Sequence, residues 1–100
     1  QKEFEKAISD CKLYLQLKPK DTEVINLNGL CYAGLNDFDS AILEYNKAIQ
    51  IEPANGLFYM NRSFAYNSKG DKTSALKDAQ QALKLGLIVD ENYLSYLTGN

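Results

Sequence analysis

Apolar residues along this chain fall at helical spacing and are interrupted at regular intervals by turn formers. From Thr22, the residues Val24, Ile25, Leu27, Leu30 and Cys31 keep the three-and-four rhythm of a helix as far as Gly34-Leu35-Asn36. The next run carries Phe38, Ala41, Ile42, Tyr45, Ala48 and Ile49 on one face. Pro53 ends it, because proline has no amide hydrogen and its ring collides with the preceding turn. Asp21 or Thr22, then Asp37, then Asp71, stand where a side-chain oxygen can accept from the opening amides of a helix. Carried along the chain, this reading predicts helices near residues 1–17, 22–34, 38–51, 56–69, 72–85 and 90–98.

The pattern repeats with a period of 34 residues. Ala7, Ala41 and Ala75 share one column, Pro19 and Pro53 another, and Ile8, Ile42 and Leu76 a third. Phe4 pairs with Phe38, Tyr32 with Tyr66, and Leu15 with Ile49 and Leu83. A fixed period of this length marks a stacked solenoid, in which each unit buries its apolar face against its neighbours. Asn36 aligns with Gly70, and these two residue types best tolerate the left-handed backbone that stops a helix, so a tight turn is expected at both. Ala41 and Ala75 mark close helix contacts, with Gly29 and Ser63 as the matching small residues and Tyr32, Phe38 and Tyr45 filling the surrounding space. The expected organisation is one domain over 1–100: the second helix of a partial repeat (1–21), full repeats at 22–55 and 56–89, and a capping helix or the start of a further repeat at 90–100.

Composition narrows the function. The formal charge is −2 with both signs scattered along the chain, which leaves no basic stripe for nucleic acid. No apolar run approaches the ~18 residues of a membrane span, and no signal-peptide pattern opens the chain, so a cytoplasmic protein without a membrane partner is expected. Histidine is absent, as are a phosphate-binding loop, a paired-cysteine motif and a nucleophile elbow. Neither catalytic residues nor a metal or other cofactor are expected. Asp37, Asp39 and Glu44 read as helix caps and a solvated face. Asn61-Arg62-Ser63 has the form of a glycosylation acceptor but lies inside a predicted helix. Cys11 and Cys31 fall in columns where helices pack and read as small buried hydrophobes, with a disulfide between them left open.

The order of small residue, Tyr, Gly or Asn turn, aromatic, Ala, Ala and Pro resembles the tetratricopeptide repeat. Gly29, Tyr32, Phe38, Ala41, Tyr45, Ala48 and Pro53 fill nearly every signature column of one unit. Tyr59, Ser63, Tyr66, Ala75, Ala79 and Ala82 fill most of the next, which departs at Lys72 and Leu87. Phe4, Ala7, Tyr14 and Pro19 match a second helix alone. The resemblance implies an all-α, right-handed superhelical solenoid of antiparallel helix pairs. It also implies a non-catalytic scaffold that holds a peptide or helix of a protein partner in a concave groove lined by the first helix of each repeat. Mapped here, that groove takes Glu23, Asn26, Leu27, Leu30 and Ala33 from one repeat and Leu57, Met60, Asn61, Phe64 and Asn67 from the next.

The stretch from Tyr59 to Tyr66 also resembles co-chaperone domains that clamp the C-terminal carboxylate of heat-shock chaperones, with Asn61 at the clamp asparagine. The other clamp positions depart from that pattern. Asn26 stands for a Lys, Leu30 for an Asn, and Glu91 and Ser95 for Lys and Arg, so a terminal carboxylate would be desolvated with little compensation. Two expectations concern the ends. Phe4, Ile8, Cys11 and Tyr14 lack a covering helix, which suggests a self-assembling, homo-oligomeric subunit as the alternative function. The last helix, around Tyr93, Leu94, Tyr96 and Leu97, is expected to dock on its own preceding pair and cover Leu76, Leu83 and Leu85, the alternative being that it reaches into the first-helix vacancy of another copy.

Overall fold

The computed structural model describes residues 1–99 and is all-α. Its helices are α1 (Lys2–Leu17), α2 (Thr22–Gly34), α3 (Phe38–Ile51), α4 (Gly56–Ser68), α5 (Lys72–Lys84) and α6 (Glu91–Thr98), within one residue of the predicted bounds. That agreement has local causes. Asp21, Asp37, Asn55, Asp71 and Asp90 each accept from an amide in the first turn of the helix that follows. Asn36 (φ 63°) and Gly70 (φ 91°) are both left-handed, as expected from their shared column. After each, the chain closes the same way: Asp37 N donates to Tyr32 O and Asp71 N to Tyr66 O, both at 2.9 Å. Gly86 (φ 98°) makes a third such turn, with Leu87 N donating to Ala82 O.

Each helix packs on its neighbours in sequence, and α2 also touches α4. The result is an elongated solenoid of antiparallel pairs, 43 × 28 × 17 Å. Its core is segmented accordingly. One cluster centres on Ala41, Ile42, Tyr45 and Ala65, another on Ile25, Ala48 and Phe58, and the third on Met60, Ala75, Ala79, Ala82, Val89 and Leu97. The small columns do what their spacing predicts: Ala41, Ala48, Ala75, Ala79 and Ala82 are wholly buried. A Cβ on Gly29 would stand 2.5 Å from the ring of Tyr45, so α2 and α3 meet there without room for a methyl group.

Several expectations change. Ile8 and Cys11 are buried in the packing of α1 and α2, whereas Phe4 and Tyr14 remain partly exposed, with the Phe4 ring against Gly34 and Tyr14 Oη donating to Asp21. Cys11 and Cys31 are free thiols, and burial pushes both pKa values up. The last helix docks on its own chain; Leu76 packs against the cluster that includes Leu97, Leu85 is half-buried, and Leu83 stays half exposed. Asp37 is a cap and Asp39 pairs with Lys69, but Glu44 is buried rather than solvated. It accepts from Asn28 Nδ2 at 3.3 Å and from Lys47 Nζ at 3.0 Å. One period later the equivalent positions are Arg62 and Asp78, joined by two hydrogen bonds of 2.8 and 2.7 Å, while Arg62 also donates to Asn46 at 2.8 Å. The same interhelical position thus carries an amide-to-carboxylate hydrogen bond in one pair and a bidentate ion pair in the next.

These contacts have measurable consequences. Arg62→Ala leaves the Asp78 carboxylate buried and alone, and should cost about 2–3 kcal/mol in urea melts, less than the ~3–5 kcal/mol of a wholly buried pair because the Arg62 side chain keeps 20% exposure. Asn28→Ala at the equivalent position should cost about 1 kcal/mol. Tyr45, only 1% exposed, has its phenol pushed up to about 12 by burial. In the unfolded chain it ionises near ~10, so its contribution is intact below that pH and is lost as pH rises from about 10 through about 12, reaching about 2–3 kcal/mol. Ultraviolet titration should show one of the seven tyrosines ionising last and together with unfolding, a step that Tyr45→Phe should remove.

Candidate functional site

The surface shared by α2, α4 and α6 departs from inside-apolar, outside-polar patterning. Leu27, Leu30, Leu57 and Phe64 are each 43–49% exposed, while Thr22 and Asn26 are buried. Exposed large apolar side chains beside buried polar ones are the informative combination. The inversion follows from the close packing already described: the inward position of α2 is taken by Gly29 against Tyr45, and the leucines one stripe away are left outside.

Two cavities open on this surface. The first, about 530 Å³, lies between α2 and α4 and is walled by Leu27, Leu30, Leu57 and Phe58, with Asn26 also lining it. Asn61 Nδ2 donates to Asn26 Oδ1 at 2.9 Å, tying the two helices together. Glu23 and Glu52 complete the lining. Glu52 accepts from Thr22 Oγ1 at 2.6 Å and from Asn55 Nδ2 at 3.2 Å, and these bonds hold its carboxyl below the ordinary range. The second cavity, about 380 Å³, lies between α4 and the start of α6 and is lined by Met60, Phe64, Ile88, Val89, Asp90 and Tyr93. Phe64 and Tyr93 meet with ring centroids 5.0 Å apart, tilted by 53°. Tyr93 Oη is 2.9 Å from Ser63 Oγ, which itself donates to Ala75 O at 2.6 Å, so one buried hydroxyl fixes α4 to both α5 and α6. Burial pushes the Tyr93 phenol up.

The predicted groove residues therefore divide. Glu23, Leu27, Leu30, Leu57 and Phe64 lie open on this surface. Asn26 and Met60 are buried, and Asn61 is half-buried by its bond to Asn26. Asn67 is half-buried with its Oδ1 lacking a partner, and Ala33 packs against the core beside Ala41 instead of facing outward. Residues that the sequence reading did not place here are Thr22, Glu52, Asn55, Phe58, Ile88, Val89, Asp90 and Tyr93. They belong to loops and helix ends, where no periodic signal points a side chain toward a groove.

On the other side of α4, a polar slot of about 660 Å³ separates α3 from α5. Its floor is Arg62, with the Tyr59 and Tyr66 rings 5.5 and 5.9 Å from the guanidinium, and Lys77 stands at its edge. Ser63, the third residue of the glycosylation-like triplet, is fully buried. Among the described residues no cluster of His, Cys, Asp and Glu could hold a metal ion, and no helix is long and apolar enough to cross a membrane.

Comparison with known proteins agrees with this architecture. Family models described as the tetratricopeptide repeat match residues 22–55 and 58–85. Small glutamine-rich tetratricopeptide repeat-containing protein 2 of Saccharomyces cerevisiae is 37% identical over 49 residues, covering 49% of this chain and 14% of that protein. Serine/threonine-protein phosphatase 5 of Homo sapiens is 33% identical over 75 residues, covering 75% of this chain and again 14% of the relative. The chain therefore spans a small part of the curated relatives it matches. Among solved structures, the first tetratricopeptide domain of Spaghetti (RPAP3), bound to the HSP90 peptide SRMEEVD, superposes with a TM-score of 0.91 at 21% identity, over 99% of this chain and 80% of that one. The crystal structure of MamA gives 0.79 at 29% identity, over 83% and 48%. With paired helices locked by small residues, left-handed turns at matching positions and two consecutive matched repeats, the chain belongs to the tetratricopeptide repeat family.

Proposed function

We propose that this chain is a non-catalytic adaptor, built on the repeats 22–55 and 56–89, that holds a segment of a partner protein across α2, α4 and α6. The observation that carries this reading is the pair of neighbouring cavities whose walls keep Leu27, Leu30, Leu57 and Phe64 half exposed. Large apolar side chains around pre-formed concavities, with Asn and Tyr groups nearby to orient a backbone, are what a peptide site requires. The Spaghetti domain, whose fold this chain shares, is bound to a peptide, which supports a peptide-binding role here. Phe64→Ala should cost well under the ~3–5 kcal/mol of a core phenylalanine, since half of the ring is already in solvent, and should weaken binding of peptides selected from a displayed library by about tenfold or more. A core-sized loss of stability with unchanged peptide binding would refute this role for Phe64.

A second reading, self-association, is favoured by α1. Its outer face exposes Leu13 (63%) and Leu17 (86%), and a second copy would cover apolar surface there. Light scattering over a concentration series should then show a mass increase that Leu13→Lys abolishes. A constant monomer mass would dismiss this reading and leave the adaptor role untouched.

A further inference from the structure

The groove has a one-sided charge. Glu23 and Glu52 line the first cavity and Asp90 the second, with no Lys or Arg among the residues lining either. Among the described residues none of these three carboxylates forms an ion pair. Across α4, by contrast, the slot between α3 and α5 is lined by Arg62 and Lys77, and its one acid, Asp78, is already paired with Arg62. The two cavities of the groove are thus lined by acids alone, whereas the slot across α4 also carries cations.

Each cavity couples apolar walls to an acidic edge. The bonds from Thr22 and Asn55 keep Glu52 ionised, and Asp90 is fixed by its capping bond to Asn92 N at 2.9 Å. The two cavities flank α4, and the interaxial distance of packed helices, roughly 8–10 Å, sets the scale of their lateral separation. In a polyproline-type segment, residues three apart lie on the same side at about 9 Å. Resting on the adaptor reading, we infer that the groove recognises a basic, extended segment: two apolar side chains three residues apart fill the cavities, and Lys or Arg residues beside them face Glu23, Glu52 and Asp90. An acidic segment would meet three carboxylates without ion pairs and no Lys or Arg in the lining of either cavity. Exposed pairs contribute modestly one by one, so the preference expected from three of them is about tenfold, arising largely in the association rate and screened by salt.

The test uses three capped hexapeptides titrated into the isotopically labelled protein by NMR: Lys-Leu-Lys-Pro-Leu-Lys and its counterparts with every Lys replaced by Gln or by Glu. At about 0.05 M salt the Lys peptide should bind about tenfold tighter than the Gln peptide and the Glu peptide weaker still, with the differences closing at about 0.5 M. The triple substitution Glu23→Gln, Glu52→Gln, Asp90→Asn, which leaves acceptors for Thr22 Oγ1 and the α6 cap, should erase the preference while retaining the helical spectrum. If that variant does not fold, the salt series on the unaltered protein decides alone. Equal binding of all three peptides that is lost in Phe64→Ala overturns the charge inference and leaves the groove standing. A Glu peptide that binds as well as the Lys peptide, or a Lys preference that survives neutralisation, also overturns it. Absence of binding by any of the three overturns both.

Discussion

The close approach of helices within each pair is the constraint on which the rest of the structure depends. Gly29 leaves no space for even a Cβ against Tyr45, and Ser63 is fully buried with its hydroxyl committed to the Ala75 carbonyl. Interiors packed at crystal-like density do not deform continuously, so these contacts fix both the separation and the rotation of α2 on α3 and of α4 on α5. Once rotation is fixed, every other stripe of the first helices is assigned. On α4, Ser63 and Ala65 turn inward, Arg62 turns toward Asn46 and Asp78, and Leu57 and Phe64 are left in solvent.

One helix therefore serves three surfaces, which explains why α2 and α4 lack a simple amphipathic pattern. Asn28 and Arg62 face acids on the following helix, and Asn26 is bridged to Asn61 across the repeat boundary. These polar contacts are satisfied in part by charge, as in Arg62–Asp78, and in part by neutral amides. Asn28 Oδ1 and Asn67 Oδ1 remain buried without partners. Polar groups in such positions are costly when unpaired, so they restrict which rotation and register the helices adopt. The apolar residues displaced to the surface are those that wall the two cavities.

The third cluster shows how the docking of α6 completes the surface. Val89 and Leu97 close over Met60, the Tyr93 hydroxyl meets Ser63, and the Tyr93 ring leans on Phe64. Lys72, which stands where the repeat pattern places an aromatic residue, lies 4.2 Å from the centroid of the Tyr96 ring. The departure from the pattern at Lys72 is thus met by a contact with α6, and the second cavity exists only because α6 sits where it does.

Helix bounds, left-handed turns and capping residues were legible in the sequence because each is set within a few residues: Asn36 and Gly70 by tolerance of positive φ, Asp37 and Asp71 by reach to nearby amides, and Pro53 by its missing hydrogen. The small columns were legible because a period of 34 repeats the same steric demand. The fate of polar and apolar side chains on the remaining faces was decided by tertiary structure. Met60 and Phe64 share one helical stripe, yet Met60 is 7% exposed and Phe64 49%, since α6 covers one and only leans on the other. Glu44 looks like a surface acid until Asn28 is placed opposite it, and Glu23, Glu52 and Asp90 come to line neighbouring cavities only when α2, the loop before α4 and the start of α6 are placed around α4. Periodicity fixes the face on which a residue lies, but what meets that face comes from elsewhere in the chain, as with Asn26 and Asn61, 35 residues apart.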